Sequence, residues 1–395
     1  MRWIVHKHWL RILFAGTLSL GQLSSVSGGA NAQGAFYQAT ADEAAGPVGT
    51  LIRSEPRVGA PAGASAYKIL YRSTKPDGSP IAVSGIVIVP AGQPPAGGWP
   101  IVAWAHPTTG VVSRCAPSLA IFLFQQIAGS RRLLENGYAI AATDYPGLGT
   151  PGPHPYLVGE SEARAVIDSV RAARSFPGLE QSSRFAVWGH SQGGQAALFT
   201  GVIAKKYAPE VQLLGVAAAA PATDLATLMT DDLDTTGGRN LTAMTIWSWS
   251  KIYGADINQV IAPEAISTVD ALANVCIEGA FDIYVREKLS GPLGHTFLSV
   301  RNPATVEPWR SLLARNTPGG LSTDIPVFLA QGTTDQLVRP EVTSAYMQRL
   351  CKAGSSVRML MLPNVSHGFA GYDSADAAAD WMQDRFAGKQ PGSDC

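Results

Sequence analysis

The chain has 395 residues, and its 30 basic and 30 acidic side chains cancel. With no basic run and no aromatic–basic stripe, it carries no electrostatic footprint of a nucleic-acid partner. It contains no C-x-x-C, no H-E-x-x-H and no histidine cluster, which excludes the common zinc patterns, and neither metal nor cofactor is expected.

In chain order, Arg2, Lys7 and Arg11 precede an apolar stretch from Ile12 to Leu20, and Ala30-Asn31-Ala32 offers a small-x-small cleavage site. Residues 1–32 are therefore predicted to be an export signal, because the apolar run falls short of the ~20 residues that span a bilayer. No later segment resembles a membrane span, so the protein is expected to be secreted, extracellular or periplasmic. Residues 33–66, rich in Gly, Ala and Pro, read as an extended arm. Strands are predicted at Tyr67–Arg72, Ile81–Val89, Ile101–Ala105, Tyr138–Thr143, Phe185–Trp188, Leu213–Ala219, Val327–Ala330 and Val357–Leu362. Helices are predicted at Leu119–Glu135, Glu160–Ser175, Gln195–Tyr207 and Pro340–Gly354. In Glu160–Ser175, Ala163, Val166, Val170 and Ala173 share one face, with Arg164, Asp168 and Arg171 pointing away. Strand–helix alternation of this kind predicts an α/β sheet covered by helices on both faces. Between Ala219 and Val327 the alternation stops for about a hundred residues, too many for an irregular loop. Residues 225–320 are read as an inserted helical cap on a core formed by 67–224 and 321–395. The cap aromatics Trp247, Trp249, Tyr253, Phe281, Tyr284 and Phe297 fit ordinary cap packing better than an acyl pocket.

The segment Arg184 to Leu198 carries the chemistry. An apolar run ends at Gly189-His190-Ser191-Gln192-Gly193, and a helix-compatible stretch follows at once. A serine at the apex of a strand–turn–helix needs small neighbours, and Gly189 and Gly193 meet that demand. The pattern is the nucleophile elbow of an α/β-hydrolase, with Ser191 as nucleophile. G-x-S-x-G alone is a weak signal in a glycine-rich chain, so its partners matter. Ile325 to Asp335 reads as a buried strand leading to a carboxylate, and Val357 to His367 as another strand leading to a histidine. The order Ser191, Asp335, His367 is the one this fold requires. His367 would take the Ser191 proton, and Asp335 would fix the imidazole tautomer.

Rival residues fit less well. Asp224 also follows a strand but reads as a helix N-cap. His6 and His8 lie in the export signal, while His154 and His295 read as surface or cap residues. His190 is too close to Ser191 to be its base, and His106 precedes the serine but could line the pocket. One oxyanion donor is expected to be the backbone N–H of Gln192, the residue after the nucleophile. The second must come from Ala103–Gly110, with Thr108 and Thr109, or from Ala141–Gly147, with Asp144. Gly147-Leu-Gly-Thr-Pro-Gly152 matches a dinucleotide fingerprint, but Pro151, Pro153 and Pro155 prevent the helix start that a pyrophosphate needs.

Beyond the triad, Cys115-Ala-Pro-Ser118, Asp144-Tyr-Pro-Gly147, Gly159-Glu-Ser-Glu-Ala163 and Cys351-Lys-Ala-Gly354 resemble the secretory-lipase family, the group of yeast lipase A and its bacterial relatives. The similarity runs from about residue 67 to the C-terminus. It implies that the aspartate of the D-x-x-G loop, Asp144, is the second oxyanion group. Four cysteines in an exported chain favour disulfides, and the resemblance implies the pairs Cys115–Cys276 and Cys351–Cys395. The chain departs from the yeast enzyme in its Gly-His-Ser-Gln-Gly elbow and in His106-Pro107, which leaves acyl preference open.

The expected function is a secreted serine hydrolase of carboxylic esters, a lipase or esterase working through an acyl-enzyme. Its partner would be a small ester or lipid, with at most transient contact to a lipid interface, and the chain is expected to be a monomer. The alternatives are a peptidase of the same fold and a non-catalytic binding protein that kept the pocket.

Overall fold

Nine strands build a single sheet: β1 Leu51–Pro56, β2 Ala64–Thr74, β3 Pro80–Pro90, β4 Ile101–Ala105, β5 Ala139–Thr143, β6 Arg184–His190, β7 Gln212–Ala219, β8 Val327–Gly332 and β9 Val357–Leu362. The structure is a computed structural model and describes residues 34–231 and 233–395; the predicted export signal lies outside them. The spatial order is β1-β2-β3-β5-β4-β6-β7-β8-β9. The pairs β1/β2, β2/β3 and β3/β5 are antiparallel, and every pair from β5 onward is parallel. β4, β5 and β8 are buried along their whole length, which their Val, Ile and Ala runs require when helices cover both faces. The result is an α/β-hydrolase sheet, and the loops that follow β5, β6, β8 and β9 share its carboxyl edge.

The N-terminal region is more regular than its composition suggests. Phe36 and Tyr37 bury against Leu70, Thr40 and Glu43 cap a turn of helix at Ala41–Ala44, and β1 adds an antiparallel edge strand to β2. The predicted helix Leu119–Glu135 forms only in its last turn, Ser130–Glu135. Before it come single turns at Pro117–Leu119 and Leu123–Gln126, and Gly129 at φ 77° breaks any continuous helix. The helix Gly159–Ala173 buries its apolar face as expected, but Asp168 is not solvated. Its carboxylate accepts from Ser73 Oγ at 2.7 Å, Tyr207 OH at 2.8 Å and Arg171 Nη1 at 2.8 Å. A buried charge survives only with such partners.

Between β7 and β8 lie the helices Leu225–Asp231, Thr236–Ile252, Ile266–Ala273, Ala280–Ser290 and Trp309–Arg315. Among the described residues this segment has one β-bridge, Ile261 with Leu298. Trp249, Phe297 and Trp309 fill its interior, whereas Phe281 and Tyr284 face solvent. Cys115–Cys276 ties it to the loop after β4, and Cys351–Cys395 ties the tail to the helix Pro340–Lys352.

Candidate active site

Ser191 stands between β6 and the helix Gln192–Tyr207 with φ 56° and ψ −118°, a strained conformation for a side-chain-bearing residue. The surrounding packing holds it there. Ser191 N–H donates to Ala219 O on β7 at 2.9 Å. A Cβ on Gly189 would lie 2.1 Å from Gly193 O, and one on Gly193 would lie 1.9 Å from Ala105 O. Only glycine permits this turn to fold back against β4.

The loops after β8 and β9 bring Asp335 and His367 to that apex. They are laced together by Thr333 N–H to Leu362 O at 3.0 Å, Thr334 N–H to Val365 O at 3.1 Å and Asn364 N–H to Thr333 Oγ1 at 2.8 Å. His367, at the start of the helix His367–Asp373, lies with Nδ1 2.8 Å from Asp335 Oδ2 and Nε2 2.8 Å from Ser191 Oγ. The carboxylate oxygen can only accept, so Nδ1 carries the proton and Nε2 accepts from the Ser191 hydroxyl. Burial alone would raise the Asp335 carboxyl. The His367 bond and the N–H groups of Val338 and Leu337 outweigh it and hold the acid below its ordinary value. Both N–H groups reach Oδ1 at 2.9 Å, and Gln331 Nε2 donates to Oδ2 at 3.1 Å.

The apex opens into a cavity of about 300 Å³ whose walls include Trp104, His106, Thr109, Asp144, Leu241, Ile277 and Leu337. Most of this lining is apolar. Gln192 is the first residue of its helix, so its backbone N–H has no intrahelical acceptor. Asp144 is buried at the cavity wall. Its backbone N–H is spent on Ser84 O at 2.8 Å, so any bond it donates to a ligand must come from its carboxyl. Oδ1 accepts from Ser118 N–H at 2.8 Å; Oδ2 accepts from Ser84 Oγ at 2.6 Å and from Ser118 Oγ. Burial raises this acid to about 6 despite those bonds. Thr109 Oγ1 lines the same cavity, buried and without a hydrogen-bond partner among the described residues, whereas Thr108 Oγ1 pairs with Tyr156 OH at 3.0 Å.

The other candidates fall elsewhere. Asp224 caps the helix Leu225–Asp231, accepting from Thr227 N–H at 3.1 Å. His295 is exposed. His154 is not a surface residue: it is fully buried, stacked on Tyr145 and bonded to the Gln192 side chain at 2.7 Å. The proline-flanked loop that suggested exposure folds under the helical insertion, where Ser248 Oγ bonds His154 O at 2.6 Å. Of the aromatics singled out in residues 225–320, none lines the cavity beside Ser191; that segment contributes Leu241, Ile277 and Glu278 to the wall.

Two residues near the site make contacts that the sequence did not assign to them. His190, kept neutral by burial with its pKa near 3, donates Nε2–H to His367 O at 2.9 Å and so braces His367. Glu162 lies behind Gln192 and bonds its side chain at 2.7 Å. Its spacing of four from Val166 puts it on the buried face of its helix, and that was a readable signal.

Comparison with known proteins agrees with this fold. Lipase 5 of Candida albicans is 25% identical over 354 residues, covering 84% of this chain and 74% of that one. A probable inactive lipase of Mycobacterium tuberculosis is 26% identical over 357 residues, covering 82% and 74%. Among solved structures, Candida antarctica lipase A superposes with a TM-score of 0.76 at 18% identity, covering 91% of this chain and 87% of that one. A rice cell wall degrading esterase from Xanthomonas oryzae gives 0.69 at 23% identity, covering 87% and 100%. The profile of the family described as secretory lipase matches residues 126–394. The chain belongs to the secretory lipase family, and with that membership and its two disulfides it is a secreted protein.

Proposed function

We propose that this protein is a serine hydrolase of hydrophobic carboxylic esters, working through the triad Ser191, His367 and Asp335. The observation that carries the reading is the unbroken chain Ser191 Oγ–His367 Nε2, His367 Nδ1–Asp335 Oδ2, each link 2.8 Å, opening into a largely apolar cavity. Ser191 Oγ attacks the ester carbonyl carbon while His367 takes its proton, and the imidazolium is stabilised by Asp335. Negative charge then develops on the former carbonyl oxygen. The Gln192 N–H faces it from the helix start, and the Asp144 carboxyl, when protonated, donates a second bond. Collapse expels the alcohol with the proton from His367, and water, deprotonated by the same histidine, releases the acid.

The surroundings favour a lipid-like acyl ester. Ile121 is 87% and Phe122 67% exposed beside the cavity-lining Leu123, and Phe369 stands next to Gly368 at the rim. From Cys115 to Ser130 the chain has no charged side chain, so this rim suits contact with an uncharged lipid surface. In this reading residues 225–320 act as a cap over a core of 67–224 and 321–395, supported by the cap residues Leu241 and Ile277 in the cavity wall.

A panel of p-nitrophenyl esters, with wild type and Ser191→Ala, tests the proposal. The variant should lose most of the activity, and a fluorophosphonate should label the wild type alone. Equal activity in both proteins refutes it, and a wild type that neither cleaves the esters nor is labelled leaves a binding protein that kept the pocket. Faster cleavage of peptide anilides than of esters turns the reading toward a peptidase. A second assignment of the oxyanion partner has its own support: the unpartnered Thr109 hydroxyl is a ready donor, while the Asp144 carboxyl already accepts three bonds.

A further inference from the structure

Behind the nucleophile, three side chains from separate segments meet where no solvent reaches. His154 lies in the loop after β5, Glu162 on the helix Gly159–Ala173, and Gln192 directly follows Ser191. All three are essentially fully buried. His154 Nδ1–H donates to Pro146 O at 2.9 Å, which leaves Nε2 as an acceptor; burial keeps the ring neutral, with its pKa near 3. Gln192 Nε2 spends one hydrogen on His154 Nε2 at 2.7 Å and the other on Glu162 Oε1 at 2.7 Å. Oε1 also accepts from Leu157 N–H at 2.9 Å, so it carries two donors, as a carbonyl oxygen does.

The remaining two atoms decide the protonation state. Glu162 Oε2 and Gln192 Oε1 are buried acceptors without a partner among the described residues. A proton on Oε2 replaces a bare buried charge by a neutral hydroxyl, the smaller cost where no cation and no further donor among the described residues reaches that oxygen. The titratable groups around Glu162 are His154, Tyr145, Tyr156 and Tyr253, and none supplies a positive charge at neutral pH. No arginine or lysine among the described residues forms an ion pair with it. A carboxylate in that setting has lost water without gaining a cation.

We propose that Glu162 is a positioning residue of this hydrolase: as a neutral acid it locks the Gln192 side chain against His154, and so aims the Gln192 backbone N–H beside Ser191. The amide of Gln192 has no freedom to turn while both of its hydrogens and its neighbouring helix start are held. The N–H that faces the oxyanion is therefore set by a contact on the far side of the residue. Ionisation of Glu162 would also place a second negative charge behind the oxyanion and oppose its formation. Burial, more than its two N–H partners offset, raises the Glu162 acid to about 8, so the neutral form prevails below that pH and is lost above it.

This inference rests on the ester-hydrolase reading, and the test separates the two. Steady-state kinetics on a soluble p-nitrophenyl ester are measured for wild type, Glu162→Gln, Glu162→Ala and Ser191→Ala, with fluorophosphonate labelling rates alongside. Glu162→Ala should lower kcat by on the order of 10- to 100-fold with KM little moved, because a misaimed donor costs less than an absent one. Glu162→Gln, neutral and of the same shape, should recover most of that loss. Beyond the fall near pH 6 that loss of the Asp144 proton brings to both proteins, wild-type kcat should fall a second time as pH rises through about 8, following the loss of the neutral Glu162, and the glutamine variant should lack that second fall. An unchanged kcat in Glu162→Ala, a loss confined to KM, or a fall near pH 8 retained in Glu162→Gln overturns the proposal. If the alanine variant does not fold, the glutamine variant's pH profile still decides. Activity of Ser191→Ala equal to wild type would instead overturn the hydrolase reading itself.

Discussion

Replacing Asp335 by asparagine should disable the site by reversing one histidine tautomer, and the structure says why the amide cannot choose the harmless orientation. Oδ1 of Asp335 accepts two backbone N–H groups, from Leu337 and Val338, each at 2.9 Å. An asparagine must keep its oxygen there, because an NH₂ group would face two donors. Its NH₂ group is then forced into the Oδ2 position, 2.8 Å from His367 Nδ1. His367 can meet that donor only by moving its own proton to Nε2, and a protonated Nε2 cannot accept from Ser191. The same NH₂ group also faces Gln331 Nε2, a donor at 3.1 Å, which adds a local conflict. A wrong tautomer in an otherwise intact triad costs on the order of 10⁴ in kcat, equivalent to ~5.5 kcal/mol of transition-state stabilisation. The assay is kcat on a short p-nitrophenyl ester, with thermal unfolding to establish that the variant is folded. A folded Asp335→Asn protein within tenfold of wild type would refute the argument, either because the amide sits the other way or because Asp335 is not the orienting acid.

The second oxyanion donor is separable by substitution: Asp144→Ala should lower kcat by on the order of 10²-fold with KM nearly unchanged, whereas Thr109→Val showing that loss instead would transfer the role to threonine. Breaking Cys115–Cys276, which closes a separation of 161 residues, should cost up to about 5 kcal/mol, against about 4 for Cys351–Cys395 with 44, and differential scanning calorimetry of the two double-alanine variants should rank them so. Because the first bridge adjoins the cavity residues Thr109 and Ile277, its loss should also shift the acyl-length profile; an unshifted profile would show that the insertion is held by other contacts. The double substitution Ile121→Ser, Phe122→Ser should lower hydrolysis of an emulsified triacylglycerol tenfold or more, since each buried side chain is worth ~1.5–3 kcal/mol, and should spare a soluble ester. An equal loss on both substrates would place these residues in folding rather than in lipid contact.

Several parts of this protein are decided over a few residues of chain and are legible there. Gly189 and Gly193 flank Ser191 because a side chain at either would strike backbone at about 2 Å, a constraint that acts within one turn. The alternation of apolar runs with amphipathic stretches comes from burial periods of two and 3.6, and so the parallel strands were readable one by one. Asp224 as a cap is equally local, a side chain reaching a backbone N–H three residues on. Other features follow only from what the fold carries in from a distance. Asp168 lies on a face that its charged neighbours Arg164 and Arg171 make look solvated, and it is buried because Ser73 and Tyr207 come to meet it from other elements. The stretch 119–135 has a helix-compatible composition but breaks into single turns, leaving Ile121 and Phe122 exposed next to the cavity-lining Leu123. Glu162, His154 and Gln192 are 30 and 38 residues apart along the chain, yet hydrogen-bonded in space. Whether a polar side chain is buried depends on whether partners converge to replace its water, and that convergence is a property of tertiary packing, not of any window of sequence.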